Sequence, residues 1–504
     1  MRLYGIAVVG AALAALSAPR ALAQCPDGTP PPCAARRPAP SPYSVAVLTF
    51  ENVTGDSSAS YLAEGLADQI ATRLGGVARL TVVSRTAVRR LKDARRLSVQ
   101  ELGRQLNAAN LVNGTIRAAG GRVRVNVEAV RTASGEAVWS SAFDRASNDL
   151  LGIEETIATD VAVGVAGRLS ARERRALGSR LTTSSGAYEQ FLRGNVLMAR
   201  RTLAALQRAA AAFEAATEAD PGFADAYGRL AYTYALSGFY LDPGLDAYRP
   251  LQDALLALAR AAAARGLSLN PRSSDAWMGR ALALNVWSQF ATGAGADDSL
   301  LVSLTAFRRA VELNPRNDEA WHQYGVNLAL VSDAAALAAL RRALALDPAR
   351  AISYSDLSII YFRMGRADLA RATIDSALTL EPDGAFREMR AWYRWAAGDT
   401  AGALADARLL PDRPSALMAE VVRDSAAIRV MESRVAHPQW GDQAAGWLLA
   451  PGRREQAVQA LRACGPSLWT LLSLRWPALA PIAGDPRIQA LRAASERIRA
   501  GARW

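Results

Sequence analysis

The sequence predicts an α/β domain, a mixed sheet with helices packed against it, followed by an all-α solenoid of repeated helical hairpins. Two observations predict this. Up to about Leu169, short apolar runs of strand character alternate with stretches whose apolar residues recur every fourth position. Beyond about Thr182 the strand runs stop, and tripeptides ending at Pro315, Pro348 and Pro382 follow one another at spacings of 33 and 34 residues. A chain of 504 residues, 51% of them apolar, can bury more than one core. The α/β domain reads as residues 45–175, the array as 183–410 and a helical C-terminal cap over the last repeat as 411–504.

The first 23 residues read as a secretory signal: Arg2 supplies the charge, an apolar run follows, and Ala21-Leu22-Ala23 offers a small-x-small cleavage site. This predicts a periplasmic or secreted protein. Gln24 stands where a lipidated cysteine has Gly, Ala or Ser before it, which argues against anchoring through Cys25. Residues 24–44 are a proline-rich linker. Cys25 and Cys33 flank a turn at Asp27-Gly28, so a local disulfide and two separate thiols both remain open; Cys464 reads as a buried small hydrophobe.

The net charge of +12 is almost wholly arginine, since Lys92 is the one lysine. Its even spread, in an exported chain, argues against nucleic acid. One cluster stands out: Arg85, Arg89, Lys92 and Arg96 share a helix face opposite Val88 and Leu91. Such a face is either solvated or set against anionic lipid or an acidic partner.

Within the α/β domain "VAVLTF" is a buried strand, and Leu62, Leu66, Ile70 and Leu74 line one helix face. "RLTVVSR" is a second strand, with helical segments from Val88 to Leu106. Three further strands turn at Gly120-Gly121 and Ser134-Gly135, and "LLGIEETIATDVAVGVAGRL" closes the unit as a helix. In the array, the 33- and 34-residue spacing is the tetratricopeptide period. Tyr354, Leu357, Ser358, Tyr361, Gly365, Ala370, Ile374 and Ala377 fall at its large and small positions, and the insertions "GFYLDPGLDAYRP" and "SQFATGAGADDS" predict loops or lengthened helices.

The phrases "VAVLTFENVTGDSSASYLAEGLADQI", "LTVVSRTAV", "ELGRQLNAANLVNGTIRAAGGRVRVNVEAVRTASGEAVWSSAFDR" and "DLLGIEETIA" resemble the TolB N-terminal-like domain associated with FlgO and CadC proteins. "AYEQFLRGNVLMARRT" and "AAAAFEAATEADPGFADAYGRLAYTYAL" resemble the tetratricopeptide array that follows it in bacterial envelope and signalling proteins. The resemblance implies that fold and an envelope setting. In relatives the pair is joined to a DNA-binding domain, a cyclase or a kinase, none of which is expected here, so their output functions do not transfer.

Candidate chemistry is sparse. The loop at Gly55-Asp56 precedes a helix but lacks the lysine and the glycine spacing of a nucleotide cradle. Glu64 and Asp68, and likewise Glu154 and Glu155, read as solvated helix carboxylates. His322 and His437 lie too far apart in sequence to suggest a zinc site, and no nucleophile elbow occurs. The expectation is therefore no enzyme, no cofactor and no metal. First helices of tetratricopeptide hairpins line a concave groove, which places His322, Ser355, Ile359, Phe362 and Arg363 on or near a partner-binding surface. The expected function is an envelope scaffold that grips proteins or peptides in this groove. The alternative is a sensor whose α/β domain binds a small ligand and whose array relays it to a membrane protein.

Overall fold

The computed structural model describes residues 39–54, 60–91, 96–146, 149–178, 180–241, 248–290, 294–382, 386–409, 454–474, 479 and 482–501. Cys25, Cys33, Lys92 and His437 lie outside them, as does the Gly55-Asp56 loop, and the Cys464 side chain is not described.

The sheet is built from β1 (Ser44–Val47), β2 (Glu51–Asn52), β3 (Thr81–Val82), β4 (Asn110–Ala119), β5 (Arg122–Arg131) and β6 (Ala137–Ala146). Its order is β3-β1-β4-β5-β6, with β2 beside β4. β1 runs parallel to β3 and β4, while β4, β5 and β6 are antiparallel, so the sheet is mixed. Gly120 and Gly121 adopt φ of 57° and 72° in the β4–β5 turn, a conformation that side chains disfavour.

The alternation along β5 sets the layers. Val123, Val125, Val127 and Ala129 are buried, and Arg122, Arg124, Asn126 and Glu128 are exposed. The buried face packs on α1 (Ser60–Gly75) and α4 (Leu150–Ala166), whose Leu66, Ile70, Ile157 and Val161 are fully buried. Each such side chain contributes about 1.5–3 kcal/mol on burial. Behind β1 and the start of β4, α2 (Arg85–Arg89) and α3 (Val99–Leu106) close the second face with Val88, Leu102 and Leu106. Ser84 and Ser98 cap these two helices, and Asn107 ends α3 with φ of 50°. A short helix, α5 (Ala171–Leu177), leads out of the domain through a capping box of Ser170 and Glu173.

Helical hairpins follow: α6 (Ser185–Met198) with α7 (Leu203–Ala219), α8 (Ala224–Tyr240) with α9 (Tyr248–Leu269), and α10 (Ser274–Phe290) with α11 (Ala294–Leu313). Then come α12 (Asp318–Leu328) with α13 (Asp333–Leu346), α14 (Ala351–Arg363) with α15 (Ala367–Leu380), and α16 (Phe386–Ala396) with α17 (Thr400–Arg408). This is an all-α tetratricopeptide solenoid. Of the two sequence insertions, the described residues 238–240, 248–250, 288–290 and 294–299 are helical, and α9 has 22 residues and α11 has 20. Neighbouring first helices approach backbone to backbone; a Cβ on Gly228 would lie 2.6 Å from the Ala276 nitrogen, and one on Gly279 would lie 2.6 Å from Ala231 Cβ.

One apolar core runs from Val45 in the sheet to Tyr393 in the last hairpin. The α/β domain and the array share it because α6 packs on α1, where Leu192 fills the space left open at Gly65. Polar contacts extend the union along three successive inter-repeat turns. Arg316 donates to the carbonyls of Gly75 and Ala78, Ser84 Oγ to Asp347 Oδ1 at 2.6 Å, and Arg90 to the Leu380 carbonyl at 2.6 Å and to Glu381. The C-terminal helices α18 (Arg454–Cys464), α19 (Leu468–Leu474) and α20 (Pro486–Gly501) depart from the expected cap. Leu468 and Ile498 instead cover Leu300, Leu330 and Val331 of the third and fourth hairpins, apolar side chains that need a lid there.

Candidate functional site: the inner face of the array

Polar residues of the first helices α8, α10, α12 and α14 converge between them, on the side that a tetratricopeptide stack turns inward. Glu319 lies in the first turn of α12, almost wholly buried. It accepts from Arg201, from Tyr232 Oη of α8 and from Arg350 Nη1 at 2.6 Å, and Gln323 Nε2 lies 3.1 Å away. Burial opposes its charge, yet Arg201 and Arg350 hold the Glu319 carboxyl well below the usual carboxylate range. Arg350 also donates to Asp318 Oδ2, whose own carboxyl is pushed up by burial despite that partner. Asn285 of α10 bonds Asn327 of α12, continuing the polar line.

His322 sits one turn beyond Glu319, with Nδ1 2.9 Å from Ser353 Oγ and Nε2 3.7 Å from Asp356 of α14. Burial and the nearby Arg350 charge push the imidazole down to about 3, so it is neutral at physiological pH. Burial pushes the Asp356 carboxyl up to about 7. Serine, histidine and aspartate thus stand in the order of a nucleophilic triad. Ser353, however, has 0% exposure, and 3.7 Å is too long for a hydrogen bond, so the arrangement packs helices rather than attacking a substrate.

The other residues expected at the groove separate. Ser355 is buried, with its carbonyl accepting from Ser358 Oγ at 2.6 Å, and Ile359 is half-buried. Phe362 packs against Tyr393 in a tilted pair with 4.6 Å between centroids, and Arg363, only 3% exposed in its side chain, binds Asp333 and the Ala329 carbonyl. Phe362 and Arg363 therefore join hairpins instead of facing a partner. The basic cluster is corrected as well. Arg85 binds Asp68, and Arg89 bridges Glu64 and Asp68, so two of its cations are matched by the carboxylates of α1 expected to be solvated; Arg96 is exposed. Glu154 is buried rather than solvated and pairs with Arg73. Arg201 has no counterpart among the residues expected at the site; its turn carries arginine where the fifth and sixth hairpins carry glycine.

Among the described residues no cluster of three or more His, Cys, Asp or Glu side chains is placed to hold a metal ion. No described helix is long and apolar enough to cross a membrane. A cavity of about 240 Å³ opens where α4 begins, lined by Phe143, Arg145, Asp149, Glu155, Thr156 and Arg180 among others. It is smaller than a usual ligand cleft, and Arg180 lies 3.4 Å from Glu155 within it.

No family model matches the chain. Among solved structures it is similar to a thermophilic TPR protein of Thermus thermophilus, 25% identical with a TM-score of 0.34, covering 44% of this chain and 99% of that one. PilF of Pseudomonas aeruginosa is 17% identical with a TM-score of 0.31, covering 54% and 98%. YrrB, a TPR protein with an unusual peptide-binding site, is 21% identical with a TM-score of 0.26, covering 40% and 89%. Among curated proteins the chain is 27% identical over 203 residues to putative adenylate cyclase 3 of Rhizobium meliloti (strain 1021). That match covers 40% of this chain and 34% of the relative, so the chain spans about a third of the relative's length. It overturns the expectation that the protein is not an enzyme: a relative bearing a cyclase name removes the ground for excluding activity.

Proposed function

We propose that this chain is a protein–protein interaction scaffold of the bacterial envelope that binds proteins or peptides along the inner face of its array. The single observation that carries the reading is the run of paired helices whose first members are linked by polar side chains, Tyr232, Asn285, Glu319, Asn327 and Arg350 among them. Such faces take extended segments or helices through anchor side chains set in a rigid frame. The α/β domain, which resembles a TolB N-terminal-like domain, serves here as a docking platform rigidly joined to the array. The signal-like N-terminus supports export. A photo-crosslinker placed at half-buried Ile359 is expected to capture a partner that the same group at Arg122, on the open sheet face, does not. Equal capture from both positions sinks the groove reading, and an intact, uncleaved chain in the cytosolic fraction sinks the envelope reading.

The partial match to a putative adenylate cyclase favours a second reading, in which the chain is the ligand-sensing part of a signalling system. Co-purification from envelope extracts separates the two: partners retained equally with and without added metabolites exclude the sensor. Cyclic AMP formation from ATP by the purified chain decides whether the relative's named activity extends to this protein.

A further inference from the structure

The turn between α6 and α7 holds Arg201 at φ of 53°, two residues before its helix begins. Gly365 and Gly398 occupy the same place two residues before α15 and α17, at φ of 73° and 83°. An arginine in the left-handed region is strained where glycine is not. The strain is sustained by what the side chain reaches. Arg201 binds Glu319, lies 3.4 Å from Tyr232 Oη and covers the Tyr232 ring at 5.8 Å. Tyr232 belongs to α8 and Glu319 to α12, and α10 stands between these helices in the stack. A bond from one to the other therefore crosses the concave side. Arg350, at the start of α14, closes the ring from the far end.

We infer that Arg201, Tyr232, Glu319 and Arg350 form a latch that ties the first hairpin to the fourth and fifth across the inner face, so that a partner binding there must open it. The inference rests on the reading of that face as a binding surface. The latch opens from the Arg201 end, because that side chain is 32% exposed while Glu319 is 11% exposed. Arg201 also sits on a turn, the element that moves most readily without disturbing packed helices.

Hydrogen exchange on the full chain tests it with Arg201→Gly, a change that keeps the turn foldable because glycine already serves at two equivalent turns. Exchange at amides of α8 and α12 is expected to rise about tenfold, the effect of losing one charged hydrogen bond, while β4 and β5 stay unchanged. Glu319→Gln, of the same size, is expected to act in the same direction. A phage-displayed random-peptide library is then expected to bind Arg201→Gly more strongly than the wild type. Unchanged exchange in both variants overturns the latch, and so does capture of peptides by both wild type and Arg201→Gly to the same extent above background. Raised exchange with no capture by either protein upholds the latch and instead removes the binding reading on which it rests.

Discussion

Two buried glutamates, one in the α/β domain and one in the array, meet arginine with opposite results. Glu154 joins α4 to α1 through Arg73, but its second oxygen has no hydrogen-bond partner, and burial pushes its carboxyl up to about 7. Glu319 receives two arginines and a tyrosine and is held well below the usual range. Burial alone penalises a carboxylate; only a sufficient set of donors reverses the penalty. The α/β domain therefore carries an ionisation that weakens it near neutral pH, whereas the array carries one that requires the charge.

The sharpest break of this contrast is Glu319→Ala, which leaves Arg201 and Arg350 facing one another without their shared acceptor. A loss of about 3–5 kcal/mol is expected in urea denaturation, the usual cost of breaking a buried pair from one side. Glu154→Gln is expected to act through pH. The raised carboxyl gives its stability in full below its ordinary 4.5 and loses it as pH climbs through about 7. The wild type should thus lose up to about 1.4 kcal/mol per pH unit in that window relative to the Gln variant. An identical slope in both proteins would remove Glu154 from the account.

His322 has the opposite sign. Its depressed imidazole gives full stability above the ordinary 6.5 and loses it as pH falls toward about 3. His322→Gln is expected to make the acid limb of a melting-temperature profile shallower than in the wild type. The smallest effect belongs to the bridge between the regions. Arg90→Ala removes a partly exposed contact to Leu380 and Glu381 and is expected to cost about 0.5–1 kcal/mol. If the transition also splits in two by calorimetry, the α/β domain and the array are less tightly joined than their common core indicates.

Much of the architecture was legible in order along the chain. The spacing of Leu62, Leu66, Ile70 and Leu74 announced α1, the turns at Gly120-Gly121 and Ser134-Gly135 announced β4, β5 and β6, and the proline spacing announced the hairpins. The candidate site was far less legible. Glu64 and Asp68 read as solvated and Arg85 and Arg89 as a basic face, because nothing local shows that the two arginines of α2 reach the carboxylates of α1. Phe362 and Arg363 shared a helix with groove positions, yet Tyr393 and Asp333 from neighbouring hairpins enclose them.

The periodicity of this sequence suffices for its elements and their class, because strand and helix formation depend on neighbours two to four residues away. Its partnerships arise only when the array curves. Arg201 meets Glu319 across 118 residues, and Ser84 meets Asp347 across 263. No local pattern encodes those distances; they follow from the close stacking of α8 on α10 and from the shared core that holds α1 against α6.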